Sequence, residues 1–187
     1  MQTKTDPIQQ LASIQPGWML ASCCWLLSIT LLTLTPIAYS SERPSIPDIS
    51  YPDLSGKKQN LQQWKGQVLL LNFWASWCAP CLSEIKYLKA YQQSFGPSGL
   101  QVIGLGIDQP RKLSNVKRTL QINYPILVLD ENRSRSTLQA WGNDSGMIPF
   151  TVIFDKSGRV VTAHRGIIDE QLFNTRIKPL LDDHLSQ

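Results

Sequence analysis

The chain has 187 residues, 42% of them hydrophobic and 17% charged, with a net charge of +4. That balance supports one packed domain and excludes a disordered or low-complexity chain. Lys and Arg are scattered along the sequence rather than run together, so no nucleic-acid partner is expected.

Residues 1–17 form an N-terminal tail. No charged residue occurs between positions 7 and 41, and residues 18–39 make a 22-residue apolar stretch. A bilayer span needs about 20 residues. Residues 18–40 read as a transmembrane signal-anchor or as a signal peptide cut after Ser40, since Ala38-Tyr39-Ser40 has a small-x-small form. The run is longer than the signal core of about 7–15 residues, which favours the anchor. Leu20-Ala21-Ser22-Cys23 has the outline of a lipoprotein box, but the apolar run follows it instead of preceding it. Lys4 and the amino terminus make the short side the cytoplasmic one. Either reading places residues 42–187 outside the cytoplasm, at or near the inner membrane, where disulfides persist. Cys23 and Cys24 read as small apolar filler. Residues 41–45 are a linker, and residues 46–187 are the folded domain.

Ser55-Gly56-Lys57-Lys58 is a turn signal that predicts a short hairpin around it. Residues 61–64 suit a helical turn closed by Gly66. Residues 67–74 are continuously apolar but for Gln67 and Asn72, which predicts a strand buried on both faces. A helix over 80–95 follows, with Leu82, Ile85, Leu88 and Phe95 inward and Gly96-Pro97 as its stop. A second apolar strand covers 100–107. Residues 110–121 are amphipathic, with Leu113, Val116 and Leu120 facing in. Arg111-Lys112 and Lys117-Arg118 lie on the exposed face. A short strand at 126–129 and a helix at 133–141 lead to a loop, Asn143-Asp144-Ser145-Gly146, that reads as flexible. Strands at 150–155 and 159–164 form a hairpin through Lys156-Ser157-Gly158. Asp169 caps a last helix running to about residue 183. Strands alternating with helices, then a hairpin and a helix, predict an α/β fold with a mixed sheet covered on both faces.

Cys78 and Cys81 stand between the buried strand and the helix. Two cysteines at this spacing are arranged to make and break a disulfide. Cys78 would sit at the helix N-terminus, where partial positive charge and free N–H groups favour the reactive thiolate. Pro80 falls in the first turn, where its missing N–H costs nothing. Zinc would need two further ligands, and His164 and His184 are isolated. A c-type haem site would need His where Leu82 stands. An inert structural disulfide this short in sequence closes too small a loop to stabilise much. No metal and no cofactor are expected.

Asn72-Phe73-Trp74-Ala75-Ser76-Trp77-Cys78-Ala79-Pro80-Cys81, followed later by Gly146-Met147-Ile148-Pro149-Phe150-Thr151-Val152-Ile153-Phe154-Asp155, resembles thioredoxin-like proteins. The variant is similar to the membrane-anchored, extracytoplasmic thiol–disulfide oxidoreductases of the TlpA/ResA type, over about residues 45–183. The resemblance implies a thioredoxin-like fold with a central mixed sheet flanked by helices, an N-terminal hairpin and a strand-helix insert. It implies a cis-proline at Pro149 facing the cysteine pair, with Ile148 offering backbone groups to an incoming peptide as an added strand edge. Trp77 would offer an aromatic face to a partner. Cytosolic thioredoxins carry a buried Asp beneath the cysteines, whereas this chain has Asn72. The resemblance passes proton handling to Glu84, whose other reading is a solvated helix residue. Lys86 stands where relatives often have Pro, which alters the helix surface.

The first functional expectation is a disulfide reductase, kept reduced by a membrane electron-donor protein and acting on protein thiols and disulfides, as in cytochrome c maturation. The second is an oxidase or isomerase of the same fold. Ala79-Pro80 resembles reducing members, since strong oxidants place a polarising residue there. The third is a non-catalytic docking or chaperone module, which would need neither thiol. A peroxidase would carry its cysteine in a T-x-x-C context, unlike Ala75-Ser76-Trp77-Cys78.

Overall fold

The computed structural model describes residues 45–182. The tail at 1–17, the apolar segment at 18–40 with Cys23 and Cys24, and most of the linker at 41–45 lie outside the described residues. So does His184. Among the described residues no helix is long and apolar enough to cross a membrane.

A two-stranded antiparallel hairpin opens the domain, β1 (Ser50–Pro52) with β2 (Lys58–Asn60). A single 3-10 turn, Leu61–Trp64, follows it. The main sheet has five strands: β3 (Val68–Trp74), β4 (Leu100–Gly106), β5 (Ile126–Val128), β6 (Phe150–Phe154) and β7 (Val160–Arg165). Their spatial order is β5-β4-β3-β6-β7. β3 runs parallel to β4 and antiparallel to β6, so it lies at the centre with all seven residues buried. Its unbroken apolar sequence is what a strand covered on both faces requires.

Alternate residues of β3 divide the core. Leu69, Leu71 and Phe73 pack with Leu105, Phe150, Val152 and Phe154 on one face. Leu70 and Trp74 face the helices α1 (Ala79–Phe95) and α2 (Pro110–Thr119), among Ile85, Leu88 and Leu113. Asn72, midway between Leu70 and Trp74 in the strand, shares their face. That parity aims one amide at the helix bearing the cysteines. α3 (Glu131–Ala140) packs on the opposite face through Leu138. β5, parallel to β4, is an edge strand.

Two glycines of β4 allow close approach to the sheet. A Cβ at Gly106 would stand 2.6 Å from a Leu113 methyl, and one at Gly104 2.9 Å from Trp74 Nε1. The last expected helix is not continuous. It consists of the single turn α4 (Glu170–Leu172), a π-helical turn over Phe173–Ile177 and a 3-10 turn over Lys178–Leu180. Pro179 has no N–H to give to the preceding turn and its ring crowds that carbonyl, so regular α-winding cannot pass through it. Phe173, Ile177 and Leu181 still reach the core. Asp169 caps the start as expected, accepting the Leu172 N–H at 2.8 Å.

Candidate active site

Cys78 is the N-cap of α1, and the Cys81 N–H points at its sulfur from 3.3 Å. The two sulfurs are joined as a disulfide, with Cα atoms 5.3 Å apart. Cys78 keeps 6% of its surface exposed and Cys81 none. Helix geometry explains the difference, because Cys81 lies a turn further in, on the stripe shared with Glu84, Ile85 and Leu88. Trp77, just before the outer cysteine, is 66% exposed.

The Ile148–Pro149 peptide bond is cis. The Ile148 carbonyl oxygen lies 3.7 Å from Cys78 Sγ. Pro149 is buried, and its own carbonyl accepts the Gly166 N–H at 2.9 Å. The loop before it is pinned, contrary to its flexible reading. Asn143 is fully buried, donates to the Met147 carbonyl at 2.7 Å and accepts from the Ser145 hydroxyl at 2.8 Å. Met147 itself is left exposed beside Ile148.

Glu84 is not a solvated helix residue; none of its surface is exposed. Its carboxylate accepts the Asn72 side-chain N–H at 2.8 Å and the Ile168 backbone N–H at 2.7 Å. Asn72 also donates to the Thr151 hydroxyl at 2.9 Å, across the β3–β6 register that pairs the two residues. Burial pushes the Glu84 carboxyl up to about 7, against the two hydrogen bonds that favour its ionised form. Asn72 Oδ1 has no partner. Rotated by half a turn, the same amide would turn this oxygen towards a protonated Glu84. Asn72 can therefore serve either protonation state.

A second polar clasp holds the loop before Cys78. The Ser76 hydroxyl donates to Asp108, which also accepts the Gln109 N–H at 2.7 Å and lies 3.2 Å from Lys112 Nζ. Burial alone would raise the Asp108 carboxyl, but these donors hold it below its ordinary value. The clasp joins the active-site loop to the start of α2. Sequence reasoning missed it, along with Thr151, Asn143 and the Ile168 amide. His164 sits half-buried on the edge strand β7, paired with Thr151.

Among the described residues no three His, Cys, Asp or Glu side chains come together as a metal site. Two surface hollows lie away from Cys78, one lined by Asp53, Trp64 and Tyr124, the other by Tyr51, Thr137 and Trp141.

The Redoxin family model matches residues 42–176. The chain belongs to the Redoxin family. Among curated Redoxin relatives, the thiol-disulfide oxidoreductase ResA of Bacillus subtilis (strain 168) is 28% identical over 135 residues, covering 72% of this chain and 73% of its own. ResA of Bacillus thuringiensis (strain Al Hakam) is 27% identical over 142 residues, 75% of each chain. A thiol:disulfide interchange protein of the thioredoxin family from Chlorobium tepidum TLS superposes with a TM-score of 0.65 at 26% identity. It covers 75% of this chain and 98% of that one. This Redoxin chain is a thiol–disulfide oxidoreductase with a thioredoxin-like fold, and Cys78–Cys81 is its disulfide-forming pair.

Proposed function

We propose that this oxidoreductase is a reductant of protein disulfides on the extracytoplasmic side of the membrane. Residues 18–40 serve as its anchor and a membrane protein serves as its electron donor. The observation that supports the direction is the poverty of the Cys78 surroundings. One backbone N–H and a helix N-terminus favour its thiolate. A carbonyl oxygen at 3.7 Å opposes it, and Ala79-Pro80 adds no polarising group. Glu84 lies in the same core. Strong oxidants of this fold owe their potential to a well-stabilised reduced form. Here the reduced form gains little, so the pair tends to give electrons away. The ResA relatives are named for the same thiol–disulfide exchange, and cytochrome c maturation is a process that a reductant of this kind fits.

In the forward reaction the Cys78 thiolate attacks one substrate sulfur, breaking the substrate disulfide and forming a mixed disulfide. Cys81 then loses its proton and attacks Cys78. The Cys78–Cys81 bond forms as the mixed disulfide breaks, and the substrate sulfur that had been bonded to Cys78 leaves as a thiolate. Each released substrate sulfur takes up a proton to become a thiol. Two electrons pass to the substrate. Glu84, with its carboxyl raised to about 7, takes and returns the Cys81 proton. Trp77, Ile148 and Pro149 hold the incoming polypeptide against the sulfur. The reacting edge is open, which suits a polypeptide better than a small molecule enclosed in a cavity.

Alkylation of intact cells tests the direction and the location together. The full-length chain is expected in the membrane fraction, with Cys78 and Cys81 mainly as free thiols, turning to disulfide when reducing supply is cut. A steady-state disulfide in growing cells would favour the oxidase of the same fold. A chain recovered from the cytoplasm would contradict the extracytoplasmic placement.

A further inference from the structure

The cations that look scattered in the sequence are gathered by the fold. Residues 79–129 contain six basic residues, Lys86, Lys89, Arg111, Lys112, Lys117 and Arg118, and two acidic ones, Glu84 and Asp108. The whole chain has 18 basic and 14 acidic residues, so 12 of each are left elsewhere and cancel. The net charge of +4 therefore belongs to this stretch. Neither acid shows on its surface, because Glu84 is buried and the Asp108 side chain has no exposure.

α1 and α2 lie side by side on one face of the sheet, sharing a core. Lys89 Nζ donates to the Leu120 carbonyl at 2.5 Å and Asn123 Nδ2 to the Lys89 carbonyl at 3.1 Å, joining the body of α1 to the end of α2 and the loop after it. Lys86, Arg111, Lys112 and Arg118 are exposed. Cys78 caps the near end of α1, and the Ser76–Asp108 clasp brings the first turn of α2, with Arg111 and Lys112, up to the same loop. The reacting sulfur thus opens at the end of a two-helix face whose exposed charges are all positive.

We propose that this face docks the partner polypeptide, so that the protein selects disulfides flanked by acidic residues. The inference rests on the reductase reading and names its substrate class. An acidic flank laid on α1 and α2 brings its disulfide to Cys78. A lipid surface laid there would instead cover the cleft. Surface fields of this kind raise association rates by about 10- to 1000-fold and fade as salt shortens the Debye length.

Three peptides with the same intramolecular disulfide, flanked by Glu, Ser or Lys runs, test it against the pre-reduced full-length protein. Each rate is divided by the rate of the same peptide with dithiothreitol, which removes differences in intrinsic sulfur reactivity. The Glu peptide is expected to react fastest and the Lys peptide slowest, with a spread of about tenfold or more at low salt. The spread should collapse at about 0.5 M salt, where screening acts over a few ångströms. Arg111→Glu combined with Arg118→Glu should invert the order, and Lys86→Glu, on the other helix, should shift it the same way. A misfolded variant would lower all three rates together, whereas docking changes their ratio. Equal rates at low salt, or a Glu preference that survives charge reversal in a folded variant, would overturn the docking face. Failure to reduce even the Ser peptide would overturn the reductase reading instead.

Discussion

Cys78→Ser brings disulfide reduction to the uncatalysed level, and Cys81→Ser leaves the protein stalled in covalent complexes with its substrates. The two cysteines are separated by burial. Cys78, with its 6% exposure, is the sulfur a substrate can reach, whereas Cys81 is closed off beneath it. Cys78 also takes the Cys81 N–H at the start of α1, which favours its thiolate. Removing it removes the attacking atom. Removing Cys81 leaves the first step intact and deletes the thiol that releases the product, so mixed disulfides accumulate. Insulin reduction assays and non-reducing gels of the two variants check this. Faster alkylation of Cys81 than of Cys78 near neutral pH would reverse the assignment.

Glu84→Gln changes both the stability curve and the exchange chemistry. In the unfolded chain this carboxyl titrates near 4.5, and in the fold burial moves it to about 7. Below 4.5 both states are protonated. Between the two values the native state keeps a proton that the unfolded state has lost, so raising the pH favours unfolding. Above 7 the full penalty is present, about 3 kcal/mol. The Gln variant lacks it. Urea unfolding of the disulfide form at pH 4.5 and pH 8 should show the difference between wild type and variant moving by about that amount in the variant's favour. The thiols should also ionise at lower pH once the neighbouring negative charge is gone. Parallel stability curves together with an unchanged thiol titration would mean that Glu84 ionises like a surface carboxylate.

The elements nearest the disulfide were the most legible in the sequence. Seven buried residues in β3 need little beyond an apolar run and a turn residue on each side to be recognised. The Cys-x-x-Cys spacing and the Pro80 position fix the start of α1. The burial of Glu84 was readable in part, since positions 81, 84, 85 and 88 form one helical stripe, but a charged residue on that stripe looks like a boundary until its partners are known. Those partners carry weak signals. Thr151 meets Asn72 only through the β3–β6 register, and Ile168 contributes a backbone N–H that any residue but proline would supply. Asn143 looked like loop composition, yet its side chain fixes the turn before Pro149. The break in the C-terminal helix had a visible cause in Pro179 that hydrophobic spacing masked, because Phe173, Ile177 and Leu181 keep the four-residue step of a helix. The basic face was invisible because it joins two helices that are separate in sequence.

Equilibrating the full-length protein with glutathione or dithiothreitol buffers of known poise measures the reduction potential of Cys78–Cys81 and decides whether the pair gives or takes electrons. For this couple about 30 mV corresponds to about 1.4 kcal/mol, so modest thiolate stabilisation decides the direction. With one N–H donor at Cys78 and a carboxyl in the core below, the midpoint is expected nearer thioredoxin's value of about −270 mV than the strong oxidant's of about −120 mV. A midpoint above about −180 mV, the isomerase value, would contradict the reductase account.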